Sequence, residues 1–154
     1  MEITLTYQEY PQNELSADDL ELLEAAEAAR KRAYAPYSSF TVGCALRMES
    51  GEIITGNNQE NAAYPSGLCA ERVALFAAGA KSNEAVHTLL VVARNSKGEI
   101  ANAFPCGACR QVILEYDLKQ PQPIRLLMQT SHEHIFEVQD AKAMLPFAFT
   151  PKAL

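Results

Sequence analysis

Several features are missing from this 154-residue sequence, and each absence removes a class of function. No apolar stretch is long enough to cross a bilayer, so no membrane partner is expected. The opening MEITLTYQEYPQNEL lacks the basic-then-apolar design of a secretory leader, and a cytoplasmic protein is expected. Lys and Arg number 13 against 19 Asp and Glu, for a net charge of −6. The basic residues are scattered, with no stripe. Nucleic-acid binding depends on neutralising phosphates, so neither DNA nor RNA is an expected partner. No repeat, linker or low-complexity segment breaks the chain, and residues 1–154 are assigned to one domain. The apolar content of 48% suits a folded chain with a real core.

Elements alternate along the chain. Residues 1–14 are polar and Pro-interrupted and read as one edge strand. Ser16 and Asp19 form a helix N-cap with an acidic third position. LELLEAAEAARKRA (20–33) then reads as a helix, with Leu20, Leu23 and Ala26 or Glu27 along one face and Pro36 as its stop. FTVGCALRM (40–48) and EIITGN (52–57) read as strands joined by a turn at Glu49, Ser50 and Gly51. CAERVALFAAGA (69–80) is a compact buried helix. TLLVVAR (88–94) is a continuously apolar strand, as in a sheet covered on both faces. CGACRQVILEY (106–116) is a helix, IRLLMQT (124–130) and HIFEVQ (134–139) are strands, and 141–145 is a short helix ending at Pro146. The expected fold class is α/β, a three-layer α/β/α arrangement with a mixed central sheet of about five strands and helices on both faces.

Four cysteines in an acidic chain without a leader suggest a reducing compartment, where thiols serve metals or catalysis. Three of them stand in Cys69-Ala70-Glu71 and Pro105-Cys106-Gly107-Ala108-Cys109. Three thiolates make an incomplete tetrahedral shell for Zn2+. A structural zinc site closes with a fourth protein ligand, whereas a catalytic one keeps that position for water or substrate. Glu71 is then placed to move a proton between water and substrate. Both groups open a helix, where free N–H groups and the positive dipole end favour thiolates. Cys106 and Cys109, three apart, share a helix face. Cys69 and Glu71 can share a site only in a first turn. Arg72 either offsets the sulfur charge from outside the ligand set or forms a surface ion pair.

At these residues the chain resembles the small, homotetrameric, zinc-dependent cytidine deaminases. The resemblance runs from about residue 33 to the C-terminus. It includes the segment from Ala35 to Gly43 (P-Y-S-x-F-x-V-G), Asn58-Gln59-Glu60-Asn61 (N-x-E-N), the two cysteine segments, and the L-P-x-x-F of Leu145 to Phe149. Nucleobase deaminases of this general kind pair Cys or His zinc ligands with a non-ligand Glu. The resemblance implies that Cys69, Cys106 and Cys109 hold Zn2+ and that Glu71 is the proton shuttle. It implies that Asn58 and Glu60 bind the ribose, chiefly its 3′-hydroxyl, and that Phe40 packs near the pyrimidine. Backbone groups around Ala70 would meet the exocyclic amine. Tyr64 and Phe149 would lie at subunit boundaries of a homotetramer, Phe149 closing a neighbour's site. The implied reaction is attack of zinc hydroxide on C4 of cytidine or 2′-deoxycytidine, releasing ammonia, in pyrimidine salvage. Two departures carry no chemistry: Asn57 stands where many relatives have Cys, and Cys44 where many have Ala. Residues 1–15 contain no family motif.

Blander readings compete. Cys44, in an apolar strand, reads as a buried small hydrophobe. Glu60 alone would be an exposed loop acid, and Phe40, Phe149 and Tyr64 could simply pack. His132 and His134 share a strand face but lack a third ligand, so a solvated turn is expected; His87 is expected to be structural. As for function, a related deaminase of another cytosine-containing compound and a non-catalytic zinc-stapled module both remain alternatives. Deaminases of nucleotides or nucleic acids use His where this chain has Cys69 and need cations for phosphate.

Overall fold

The computed structural model describes residues 2–151; Met1 and residues 152–154, which the single-domain assignment also spans, lie outside the described residues. Ser16 caps the first helix, α1 (Ala17–Arg30), its hydroxyl oxygen accepting from the Asp19 N–H at 3.2 Å. The buried stripe of α1 is Leu22, Leu23, Ala26 and Ala29, while Leu20 is 45% exposed. Of the expected face, Leu23 and Ala26 are buried and Leu20 is not. Asp19 sets the phase by turning inward, where its carboxylate accepts from Arg125 at 2.7 and 3.1 Å. Nor does Pro36 stop the helix. It ends at Arg30, because the chain beyond peels away to bridge the 58–60 segment: the Tyr34 N–H donates to the Asn58 carbonyl at 3.0 Å. The Asn57 side chain donates to the Ala29 carbonyl at 2.9 Å and caps the last turn.

The strands are β1 (Gln8–Pro11), β2 (Thr41–Met48), β3 (Ile53–Asn57), β4 (Val86–Arg94), β5 (Ile100–Ala101), β6 (Arg125–Gln129) and β7 (His134–Val138). They form one mixed sheet in the order β1-β7-β6-β4-β2-β3, with β5 paired to the end of β4. The described strands number seven against the expected five or so. The edge strand read within 1–14 is β1. The unforeseen one is β5, too short to show a period; it is set by a turn in which Gly98, at φ +79°, donates to the Asn95 carbonyl. The hairpin of β2 and β3 is as expected, and β4 and β6 run parallel. Since β2 is antiparallel to both β3 and β4, these two are also parallel to each other.

Two helices complete the layers, α2 (Ala70–Lys81) and α3 (Gly107–Leu118), and residues Ala141–Met144 form a single 3-10 turn where a short helix was expected. The steps from β3 to β4 through α2 and from β4 to β6 through α3 move the same way along the sheet. Right-handed crossovers then place both helices on one face. Side chains sort accordingly. Cys44, Leu46, Leu89, Val91, Leu126 and Met128 meet Ala74, Leu75 and Ile113 of α2 and α3. Ala45, Leu90, Val92, Leu127 and Ile135 meet Leu22, Leu23 and Ala26 of α1. Thus β4 is apolar throughout because it is covered on both sides.

The helices lie close to the sheet at glycines. A Cβ on Gly43 would fall 2.0 Å from the Ala26 carbonyl of α1. On Gly56 it would fall 2.6 Å from the Ala70 carbonyl and 2.5 Å from the Ala74 nitrogen. The first turn of α2 is therefore pressed onto β3. Gly56→Ala must displace it, and the unfolding free energy should fall by about 1–3 kcal/mol. Gly107→Ala, where a Cβ meets nothing within 4 Å, should stay within about 0.5 kcal/mol of the parent. Denaturant unfolding of both variants at fixed zinc measures this; a Gly56→Ala protein as stable as the parent would show that α2 lifts at no cost.

Candidate active site

Helices α2 and α3 begin side by side at the C-terminal ends of parallel strands, where open α/β sheets place their ligand sites. Cys69 is the N-cap of α2 and Cys106 the N-cap of α3, both with extended backbone, and neither side chain caps its helix through a hydrogen bond. Cys109 follows in the first turn of α3, buried. The Cys69 and Cys106 sulfurs are 3.7 Å apart, and all three sulfurs lie within 4.8 Å of one another. Among the described residues this is the one group of His, Cys, Asp or Glu able to hold a metal. Cys44 is fully buried in the core and apart from it, as expected. His132 lies in the turn and His134 opens β7, 3.1 Å from Glu9; among the described residues neither belongs to a metal-holding group.

The electrostatics favour negative sulfur. The Cys69 thiol is pulled down to about 5, first by a hydrogen bond from Cys109 and further by Arg72 and Cys106, against the effect of burial. The same hydrogen bond, burial and the neighbouring negative charges push the Cys109 thiol up. Arg72 donates to the Cys69 sulfur at 3.7 Å, which raises its own pKa, and its buried Nε has no partner among the described residues. Arg72 thus faces the sulfurs and, among the described residues, is not paired with a surface acid. Glu71, in the first turn of α2, is only 4% exposed, and burial pushes its carboxyl up to about 6.

Beside the sulfurs opens a cavity of about 650 Å³. Phe40, Asn58, Glu60, Tyr64, Cys69, Glu71, Arg72 and Cys106 all line it. Cys109 stands behind the other two sulfurs, and Ala70 is fully buried between Cys69 and Glu71. Phe149 is outside the lining, 64% exposed, its carbonyl accepting from Gln111 at 2.9 Å. Tyr64, 78% exposed at the rim, faces Tyr37 with ring centroids 6.2 Å apart.

Asn58 and Glu60 do more than line the space. The Asn58 side chain extends the sheet pattern: its oxygen accepts from the Val42 N–H at 2.8 Å and its amide donates to the Phe40 carbonyl at 2.9 Å. Glu60 accepts from the Tyr37 N–H at 2.8 Å, the Ser38 N–H at 3.3 Å and the Ser38 hydroxyl. These bonds, the Ser38 hydroxyl first, hold its carboxyl below the usual range. They fasten the loop that reaches Phe40 through Ser39 at φ +53°. A carboxylate has about four acceptor positions, so one remains for a ligand. Tyr37, Ser38 and Phe104 also line the cavity, and the sequence reading missed them. Phe104 had one available signal, its place just before Pro105 and Cys106.

Zinc takes thiolate ligands and is four-coordinate, so three sulfurs suit it and leave one position for water. A structural staple would need a fourth protein ligand, and among the described residues the group has three. The layered fold, the paired helix starts and the buried carboxyl define an open zinc site suited to hydrolytic chemistry. The family described as "Cytidine and deoxycytidylate deaminase zinc-binding region" matches residues 16–122. The cytidine deaminase of Sporosarcina psychrophila is 40% identical over 133 residues, 86% of this chain and 92% of its own length. That of Halalkalibacterium halodurans is 41% identical over 129 residues, 84% and 92% of the two chains. The solved cytidine deaminase of Burkholderia pseudomallei superposes with a TM-score of 0.72 at 39% identity, over 88% of this chain and all of the other. The chain belongs to the cytidine deaminase family, with zinc as its cofactor.

Cys106→Ala should lose zinc and, because metal binding is linked to folding, some stability. Cys44→Ala should keep its zinc. Metal analysis after dialysis against a weak chelator tests both; retention by Cys106→Ala or loss by Cys44→Ala would contradict the assignment.

Proposed function

We propose that this chain hydrolyses cytidine and 2′-deoxycytidine to uridine and 2′-deoxyuridine with release of ammonia, serving pyrimidine salvage in the cytoplasm as a homotetramer. The observation that carries the reading is Glu71, a buried carboxyl on the cavity wall beside three sulfurs, with a polar rim at Asn58 and Glu60. Cys69, Cys106 and Cys109 hold the zinc. Bound there, zinc supplies the Lewis acidity that makes water a nucleophile near neutral pH.

Glu71 takes a proton from the attacking water as its oxygen bonds to C4, and delivers that proton to N3. It then takes the remaining hydroxyl proton and passes it to the amine; the C4–N bond breaks and a C4 carbonyl forms. A carboxyl raised toward 6 can work in both directions near neutrality. Arg72 offsets the sulfur charge, keeping the metal acidic. Phe40 packs on the pyrimidine, backbone groups around Ala70 meet the amine, and Asn58 and Glu60 bind the ribose 3′-hydroxyl. Tyr64 and Phe149, both exposed, sit at subunit boundaries, with Phe149 over a neighbour's cavity.

The substrate is a nucleoside and not a nucleotide. Among the described residues lining the cavity the single cation is Arg72, and it is engaged with Cys69. A phosphate left unpaired there would be costly to bury.

Ammonia release from cytidine by the purified protein tests the reading, with Glu71→Ala as its control. A positioned acid or base contributes about 10²–10⁴-fold, so turnover should fall by at least that upper range while zinc stays bound. A Glu71→Ala protein that keeps both zinc and full turnover would overturn the mechanism.

A further inference from the structure

Three aromatic rings run from the outer edge of the sheet to the cavity wall. Tyr7, just before β1, lies flat on Phe136 of β7, centroids 4.9 Å apart and planes 8° apart. Phe136 meets Phe104 edge-on, at 5.5 Å and 79°. Both geometries are favourable for aromatic pairs. Phe104 in turn lines the cavity. Phe136 also packs against the α2/α3 side of the core, so the middle ring is anchored. The backbone around Phe104 is pinned on both sides: the Ala103 N–H donates to the Gln129 carbonyl at 2.9 Å, and Arg110 donates to the Pro105 carbonyl at 2.8 Å. Pro105 fixes its own φ next door. Tyr7 and Phe136 lie outside the 16–122 segment that the family shares, so two of the three rings are features of this chain beyond that segment.

We propose that Phe104 is a specificity-determining residue that limits the room beside C5 of the base, with Phe136 and Tyr7 as positioning residues that hold its ring. This rests on reading the cavity as a cytosine nucleoside site. The reaction puts C4 against the sulfurs and the N3 flank of C4 against Glu71. The opposite flank, C5, must then face a different part of the wall at the metal end. Phe104, two residues before Cys106, brings a large apolar side chain to the cavity wall. C5 of cytosine carries only hydrogen, so a fixed ring beside it reads size. An unbraced phenyl group on a loop would swing aside and read little. The ladder back to Phe136 and Tyr7 removes that freedom.

The test compares kcat/KM for cytidine and 5-methylcytidine in the full-length zinc-loaded protein and in Phe104→Ala, Phe104→Leu and Tyr7→Ala. One methyl group in an apolar pocket is worth about tenfold or more in discrimination. Phe104→Ala should raise the ratio of 5-methylcytidine to cytidine efficiency by about that factor, with zinc content unchanged. Phe104→Leu should give a smaller rise, and it keeps the proposal testable if the alanine variant folds poorly. Tyr7→Ala, remote from the cavity, should move the ratio in the same direction by less, which loss of stability alone would not do. An unchanged ratio in zinc-loaded Phe104 variants overturns the specificity role, and an unchanged ratio in Tyr7→Ala overturns the bracing role. A parent protein that turns over neither nucleoside overturns the reading of the cavity itself, and the proposal with it.

Discussion

Three sulfurs held within 4.8 Å of one another repel as thiolates, and a cation among them relieves that repulsion. The fold gathers them regardless, and much of its architecture answers the resulting repulsion. Two helix N-termini begin at the cluster, with Cys69 and Cys106 as their N-caps. A hydrogen bond from Cys109 and the Arg72 guanidinium lower the pKa of the Cys69 thiol. Cys69 and Cys106 sit at caps, which leaves their sulfurs free of the helices, while Cys109 comes from the turn above. The close approach of α2 to β3 at Gly56 fixes one helix start, and the packing of α2 against α3 fixes the other.

The two faces of the sheet divide the work. The α2/α3 side carries the chemistry. The α1 side carries an ionic anchor: Arg125 donates to both Asp19 and Glu137, and the Tyr10 hydroxyl donates to Glu137. That cluster ties α1, β6, β7 and the edge strand β1 together. It leaves the 58–60 segment to organise the cavity rim. There Asn58 acts as an extra sheet residue and Glu60 as a clamp on the Tyr37–Ser38 loop. Pre-organising the rim in this way means that a ligand need not do so.

Much of this was legible in the sequence where local spacing has one geometric meaning. A three-residue spacing at a helix start joins Cys106 to Cys109, and the unbroken apolar run of β4 signals burial on both faces. The hairpin turn at Gly51 was equally plain, with its φ of +91°. Local spacing failed where distant partners decide. Leu20 was grouped with Leu23 and Ala26 along one face because a helix of Ala, Leu and Glu has a weak stripe; its phase is set by Asp19 meeting Arg125, 106 residues away. Pro36 looked like the helix stop, but bonds to the 58–60 segment end α1 sooner. Phe104 had only its place before Pro105 and Cys106 to mark it, because its neighbour Phe136 lies far along the chain on β7. Asn58 and Glu60 were recognised by motif, yet their bonds to backbone could not be read from it.

The central claim is an open zinc site built from three thiolates beside a buried carboxyl. X-ray absorption at the zinc edge of the loaded protein tests it most directly. The account predicts three sulfur scatterers at about 2.3 Å and one oxygen or nitrogen near about 2.0 Å. Four sulfur scatterers, or a shell without the light atom, would contradict it and return the cluster to the role of a structural staple.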